Sequence, residues 1–169
     1  RFFCRRLQAE KRLNWYFVVR YLCATGARIS ELLQIKVEHA EAGYLDLYGK
    51  GVKLRRIYIP KHLKAETDKW LAESGRTSGY LFCNRFGKRI TARGVGYQLK
   101  TFAQHYGLDP KVVYPHSFRH RFAKNFLAKF NDIALLADLM GHESIETTRI
   151  YLRRTATEQR ELIDKIVTW

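Results

Sequence analysis

The chain has 169 residues, and its 31 lysines and arginines against 16 aspartates and glutamates give a net charge of +15. That length suits one domain, which should bury roughly 68–70% of the surface that the unfolded chain exposes. Hydrophobic residues make up 46% of the sequence, which excludes a disordered tail despite the charge. No apolar run approaches the roughly 18 residues of a membrane-spanning helix, so no membrane partner is expected.

The excess of positive charge favours a polyanionic partner, most often nucleic acid. Charge alone does not separate a DNA enzyme from a passive DNA binder. The three cysteines, Cys4, Cys23 and Cys83, are widely spaced and never form a CxxC pair. This spacing argues against a disulfide framework or a zinc site, and a reducing cytoplasm is the expected compartment.

Periodicity in the first half predicts two helices and a hairpin. Apolar residues at helical spacing predict a helix over about residues 11–24, which Thr25-Gly26 ends, and a second helix from Arg28 to Ile35. Alternating residues over 43–48 and 55–59 flank the glycine-rich turn 49–53, which predicts a β-hairpin that ends at Pro60. Tyr48, Tyr58 and Tyr97 are interpreted as packing residues.

The second half is predicted to be helical apart from a short third strand at 80–82. Helices are predicted over 62–73, from the capping residue Thr91 to about Tyr106, from Pro115 onward, and from the capping residue Asp132 to Gly141. The helix after Pro115 carries a phenylalanine at every fourth position. Two further helices are predicted near 144–154 and 156–168. The predicted fold is therefore mainly α-helical with a small antiparallel β-sheet, an α+β class.

Each motif taken by itself is consistent with both a functional and a purely structural role. His116 and Arg119 are predicted to share the helix face opposite the phenylalanines, which makes either an anion site or a plain polar face with a capping histidine. Lys50 between two glycines is equally consistent with a solvated turn lysine, and Tyr151 between two aliphatic residues with a core tyrosine. Arg28 and Glu31 could be a simple ion pair on one helical turn.

Taken together and in order, these motifs resemble the catalytic domain of the tyrosine recombinases, the integrase family. They are Thr25-Gly-Ala-Arg28-Ile-Ser-Glu31-Leu, Gly49-Lys50-Gly51, His116-Ser-Phe-Arg119-His120, Leu139-Met-Gly141-His142 and Ile150-Tyr151. The resemblance implies that residues 1–169 form one catalytic domain. Family members usually carry an N-terminal core-binding domain that completes a clamp around DNA, and we do not expect this domain within these 169 residues. A start at Arg1 without methionine points to an excised fragment.

The resemblance implies an enzyme that cuts and rejoins double-stranded DNA without a metal or nucleotide cofactor. A tyrosine hydroxyl attacks a backbone phosphate and leaves a 3′-phosphotyrosyl link and a free 5′-hydroxyl, so Tyr151 is the expected nucleophile. Arg28 and Arg119 are expected to clamp the phosphate oxygens with their planar, permanently charged forks. Lys50 matches the family lysine that protonates the leaving oxygen, and Lys53 in the same turn is a second candidate.

Three more site residues follow from the same resemblance. His116 matches the position assigned to proton transfer or orientation near the tyrosine hydroxyl. His142 matches one that donates a hydrogen bond to a phosphate oxygen. Glu31, one helical turn past Arg28, would hold that guanidinium in position.

Other basic side chains are candidate phosphate contacts or simply solvated charges, and they are Lys53, Arg55, Arg56, Lys88, Arg89 and Arg93. The amphipathic stretch 157–169 either packs on its own domain or, as in the family, docks on a neighbouring protomer. The second arrangement links four subunits on paired DNA sites.

The resulting prediction is a site-specific DNA recombinase or integrase of a kind found in mobile elements. The alternatives are a type IB topoisomerase-like strand transferase, which uses the same chemistry on one duplex, and a DNA-binding module that has lost catalysis. The intact catalytic set argues against lost catalysis, because a binder needs no nucleophile. The target DNA sequence is left open.

Overall fold

The computed structural model describes residues 1–48, 54–142 and 144–152, together with positions 157, 160 and 163–165. Its helices are α1 (Phe2–Ala9), α2 (Leu13–Thr25), α3 (Ile29–Leu32), α4 (Val37–Ala42), α5 (Lys61–Ser74), α6 (Ala92–His105), α7 (Pro115–Lys129), α8 (Ile133–Met140) and α9 (Ile145–Arg149). Strands β1 (Tyr44–Tyr48) and β2 (Leu54–Tyr58) pair between α4 and α5, and a single 3₁₀ turn (Ile150–Leu152) follows α9. The predicted fold class, mainly α-helical with a small antiparallel sheet, is confirmed.

The predicted helix ends are set by short polar side chains and glycines. The Thr91 hydroxyl accepts a hydrogen bond from the Gly94 N–H at 3.0 Å, and the Asp132 carboxylate accepts one from the Leu135 N–H at 2.9 Å. Gly26 and Gly141 end α2 and α8 with φ of 63° and 62°, a conformation that glycine adopts without a side-chain clash. Thr91 and Asp132 thus fix where α6 and α8 begin, and Gly26 and Gly141 fix where α2 and α8 end. Both glycines contribute backbone to the site described below.

Strands β1 and β2 form an antiparallel pair with Leu45 opposite Ile57 and Asp46 opposite Arg56. Leu45 and Ile57 are buried. On the other face of the pair, the Arg56 guanidinium donates two hydrogen bonds, of 2.7 and 2.8 Å, to the Asp46 carboxylate. The predicted hairpin is confirmed in its strands. Its turn, with Lys50 and Lys53, lies outside the described residues.

Leu81 and Phe82, expected in a third strand, are buried in a loop instead. In the described chain around them, the pairing consists of two isolated bridges, Lys36 with Tyr80 and Cys83 with Arg89. The chain bends between these bridges, so the apolar run is buried without continuing the sheet. Two short helices, α1 and α4, were also not predicted.

The interpretation of three tyrosines as packing residues is wrong. Tyr48, Tyr58 and Tyr97 are 78%, 59% and 73% exposed. Tyr48 and Tyr58 lie at strand positions of the face that turns away from the core, where side chains alternate with the buried Leu45 and Ile57.

Helix α7 joins two hydrophobic clusters. Phe118 packs against the main core, whereas Phe122 and Phe126 pack against a smaller cluster formed by Ala123, Leu136, Met140 and Tyr151. Phe118, Phe122 and Phe126 of the predicted phenylalanine stripe are therefore partly buried, whereas Phe130 is 62% exposed. Within the described part of the chain, none of the helices is long and apolar enough to cross a membrane.

Candidate active site

Arg119 lies where α7 passes the ends of α2 and α8. Only 2% of the residue is exposed, and its guanidinium donates to the backbone carbonyls of Gly26 and, at 2.7 Å, of Met140. Burial, followed by the charges of Arg28 and Arg55, lowers the pKa of Arg119 to about 10, so the group stays protonated at neutral pH. His116, predicted on the same helix face, is exposed in the first turn of α7, so the two residues differ in burial.

The C-terminal end of α8 collects three guanidiniums. The backbone carbonyls of Leu139, Met140 and Gly141 accept hydrogen bonds from Arg55, Arg119 and Arg28 respectively, at 3.0, 2.7 and 3.2 Å. The Asp138 carbonyl accepts from the Gly141 N–H at 3.0 Å, and the Ala137 carbonyl accepts from the His142 N–H at 2.9 Å. The last carbonyls of a helix lack partners within the helix and carry its negative dipole end. The three arginines therefore both cap α8 and gather positive charge beside its last residue.

Glu31 binds two of these arginines with one carboxylate. Its Oε2 accepts from the Arg28 backbone N–H at 2.6 Å, and its Oε1 accepts from the Arg28 guanidinium at 3.0 Å and also from Arg55. Burial acts to raise the pKa of Glu31, but the Arg28 N–H and the Arg55 charge outweigh it and hold the pKa below its ordinary value. The expected contact between Glu31 and Arg28 is thus present.

Arg55 lies inside this cluster, although the sequence indicated an exposed phosphate contact. Its side chain is only 12% exposed, and a Cβ on Gly141 would collide with the Arg55 side chain. The strand places Arg55 on the side of the hairpin that faces α8, whereas its neighbour Arg56 points away and pairs with Asp46. Because Glu31 and the α8 carbonyl both accept from it, Arg55 is held in the structure rather than presented to solvent.

His142 follows Gly141 and connects the arginines to α9. Its Nε2 lies 2.9 Å from the Arg119 guanidinium, and its Nδ1 lies 2.7 Å from the Thr148 hydroxyl. Burial, followed by the positive charges of Arg119, Arg28 and Arg55, lowers the pKa of His142 to about 4. The ring is therefore neutral at neutral pH, and Nε2 accepts the hydrogen bond from Arg119.

Tyr151 packs beside this histidine. Its ring is nearly parallel to that of His142, at 10° with 6.5 Å between centroids, and it lies 4.9 Å from the ring of His120. Only 8% of Tyr151 is exposed, because it belongs to the smaller hydrophobic cluster. The fold thus brings Arg28, Arg119, His142 and Tyr151 together, and Glu31 accepts hydrogen bonds from Arg28.

The other predicted basic residues that the structure describes make none of the contacts within this cluster. Lys88, Arg89 and Arg93 are exposed between the end of the loop after α5 and the first turn of α6, and the Arg89 guanidinium lies 5.0 Å from the centre of the Tyr80 ring. Arg56 lies 4.0 Å over the Tyr44 ring and is bound to Asp46. Lys50 and Lys53 lie outside the described residues.

Sequence reasoning missed three contributions to the site. It gave no role to His120, which lies within the third motif, or to Thr148, which lies between the fourth and fifth motifs, and it placed Arg55 on the surface. The spacing of apolar residues along a helix shows which side chains share one of its faces. The contacts of His120, Thr148 and Arg55 join different helices and strands, and tertiary packing decides how closely these elements approach.

An open groove of about 1180 Å³ runs between the hairpin and α8, with Arg28, Arg55 and His142 in its wall. Planar, permanently charged guanidiniums suit an anion with several oxygens, such as a phosphodiester. Among the residues that the structure describes, no group of three or more His, Cys, Asp and Glu side chains is arranged to hold a metal ion.

Comparison with known proteins agrees with this arrangement. Residues 4–158 match the family model described as the phage integrase family. The tyrosine recombinase XerA of Pyrococcus furiosus is 36% identical over 154 residues, which cover 88% of this chain and 53% of that protein. The tyrosine recombinase XerD of Oceanobacillus iheyensis is 30% identical over 155 residues, which cover 86% of this chain and 52% of that protein.

Solved structures show the same fold. The crystal structure of XerA recombinase superposes with a TM-score of 0.77 at 23% identity, covering 99% of this chain and 62% of that one. The XerH site-specific recombinase bound to difH substrate, a pre-cleavage complex, superposes with a TM-score of 0.73 at 26% identity. The match covers 95% of this chain and 50% of the XerH chain. The chain spans about half the length of the curated relatives that it matches.

Proposed function

Because the chain belongs to the phage integrase family, we propose that it is the catalytic domain of a site-specific DNA recombinase that cuts and rejoins double-stranded DNA through a 3′-phosphotyrosine intermediate. The observation that carries this proposal is the convergence of Arg28, Arg119 and His142 at the end of α8, with the Tyr151 ring packed against His142. The recombinase names of the relatives and the DNA-bound XerH neighbour support it.

Charge stabilisation is the part that the arginine cluster would supply. Attack on a phosphodiester builds negative charge on the two non-bridging oxygens in the transition state. Donors already fixed in a partly dry site stabilise such charge without having to reorganise. Arg28 and Arg119 are fixed by Glu31 and by backbone carbonyls, so their forks are positioned before the DNA arrives.

Proton movement is assigned to the other residues of the set. The Tyr151 oxygen forms a bond to phosphorus and gives up its proton, with His116 the proposed acceptor or orienting group. The bond from phosphorus to the 5′-oxygen breaks, and Lys50, or Lys53, supplies the proton that makes this oxygen a hydroxyl. Attack of a 5′-hydroxyl on the phosphotyrosyl link reverses these steps and rejoins the strand.

Double-stranded DNA is the proposed partner, and the net charge of +15 supports it. The exposed Lys88, Arg89 and Arg93, with Arg56 and Lys53 kept as further candidates, would contact phosphates without reading sequence. Assembly into a tetramer through stretch 157–169, most of which lies outside the described residues, stays a prediction. The cytoplasm stays the expected compartment, and Cys4, Cys23 and Cys83 are free thiols.

The test uses this chain, a randomised library of nicked duplexes and a supercoiled plasmid. The nick lets the short strand beside the cut diffuse away, so a cleaving enzyme stays covalently attached and survives denaturation. We expect an adduct that is lost in Tyr151→Phe, and joining of two duplexes that carry the selected site. Plasmid relaxation without joining would favour a topoisomerase-like activity, and binding without any adduct would favour a silent DNA-binding module.

A further inference from the structure

Thr148 is a buried polar residue to which the sequence gave no role. It lies in α9 with no exposed surface, one element before Tyr151, and its hydroxyl is 2.7 Å from His142 Nδ1. A buried hydroxyl that lacks a partner costs free energy, so this contact stabilises the pair. Among the described residues, the imidazole makes one other polar contact, between Arg119 and Nε2.

The chemistry of the partners decides where the ring proton lies. A guanidinium has only donors, so the Nε2 atom that faces Arg119 must accept. A neutral imidazole then carries its hydrogen on Nδ1 and donates it to the Thr148 oxygen. The low pKa of His142 agrees with a neutral ring in the free site.

We propose that Thr148 is the positioning residue for His142, and that its hydroxyl holds the imidazole so that Nε2, rather than Nδ1, faces the arginine cluster. A hydroxyl both donates and accepts, so the same contact holds the ring when Nε2 accepts from Arg119 and when it donates to a phosphate oxygen. A carboxylate in this place could only accept, and an aliphatic side chain could do neither.

The catalytic consequence of this inference rests on the proposed strand-cleaving function, whereas the hydrogen-bond arrangement does not. The first test therefore uses the DNA-free protein and ¹⁵N NMR of the histidine rings, assigned with His142→Asn. We expect His142 to carry its hydrogen on Nδ1 at neutral pH. A ring with its hydrogen on Nε2 would overturn the inference whatever the protein does to DNA.

Two substitutions separate the hydroxyl from the volume that it occupies. Thr148→Val removes the hydroxyl but keeps the shape, and Thr148→Ser keeps the hydroxyl. We expect Thr148→Val to shift the His142 ring signals and to slow adduct formation by roughly 10–100-fold, the usual effect of losing an outer hydrogen bond that orients a working side chain. Thr148→Ser should restore both readouts, and DNA affinity should stay the same in all three proteins.

Thr67 provides the matched control. It is also fully buried, and its hydroxyl bonds the Leu63 carbonyl and the Tyr21 hydroxyl in the main core, away from the site. Thr67→Val should lower stability without moving the His142 signals. Equal adduct rates in wild type and Thr148→Val, with an unchanged His142 spectrum, would reject the inference. Absence of adduct in the wild type, with the expected His142 spectrum, would instead reject the proposed function.

Discussion

The Arg28 guanidinium donates to the backbone carbonyl of Gly141, 113 residues later in the chain, at 3.2 Å. This contact ties the turn after α2 to the end of α8, and so connects the first predicted motif with the fourth. Because Glu31 holds Arg28 from the other side, the guanidinium is fixed on both flanks. Charge that is fixed in advance is what a phosphoryl transition state requires.

Replacing Arg28 or Arg119 by lysine should slow cleavage by about 10²–10³, since lysine keeps the charge but loses the planar fork. DNA affinity should change far less. Single-turnover cleavage measures the effect, and thermal unfolding of each variant shows whether the buried Arg119 site still folds. Near wild-type cleavage in both variants would refute the hypothesis that Arg28 and Arg119 stabilise the phosphate oxygens in the transition state.

Replacing Arg55 by lysine should reduce cleavage roughly 10–100-fold, because a lysine amine cannot span Glu31 and the Leu139 carbonyl as the fork does. Arg20→Lys is the matched control, since Arg20 is also partly buried, with 30% of its side chain exposed, and pairs with a carboxylate, Glu66, at 2.9 Å far from the site. It should leave cleavage unchanged. If Arg55→Lys instead leaves cleavage intact and weakens DNA binding, Arg55 is the phosphate contact that its sequence position indicated.

These arginines also show how far the sequence alone could reach. The contact between Arg28 and Glu31 follows from their spacing on one helical turn, and the caps at Thr91, Asp132 and Gly141 follow from residue type. The burial of Arg55 does not, because its partners stand 24 and 84 residues away. Periodicity describes a residue's own element, whereas Arg55 depends on how the hairpin approaches α8.

His142 should titrate well below the ordinary histidine value of about 6.5, near its lowered pKa of about 4. Between these two values the unfolded chain binds a proton that the folded protein excludes. The contribution of His142 to the free energy of unfolding is therefore fully present above about pH 6.5, and it is lost progressively as the pH is lowered toward 4. An NMR titration measures the midpoint directly.

His142→Asn should flatten this part of the stability curve. The pKa of His120 is also lowered, by burial and by Lys124 and His116, so His120 contributes in the same direction as the pH falls below 6.5. The difference between wild type and variant isolates the His142 share. A midpoint at or above 6.5 would contradict the neutral ring that accepts from Arg119.

Lys50→Ala should cleave ordinary DNA slowly, because an acid that protonates a poor leaving group contributes roughly 10²–10⁴-fold. Sulfur in place of the 5′-bridging oxygen leaves without a proton, since a thiol has a pKa of about 8.5. The variant should regain much of its rate on that substrate, and Arg28→Ala should regain less. Equal rescue of both would reject the role, and rescue of Lys53→Ala alone would transfer it to Lys53.

The attachment point of the DNA tests the central claim most directly. The covalent adduct is trapped on nicked duplex, treated with nuclease and trypsin, and mapped by mass spectrometry. We predict a residual nucleotide on the tryptic peptide Ile150–Arg153, bound to Tyr151, and no adduct in Tyr151→Phe. A nucleotide on another side chain, such as the exposed Tyr48 or Tyr58, or an undiminished adduct in Tyr151→Phe, would contradict the account.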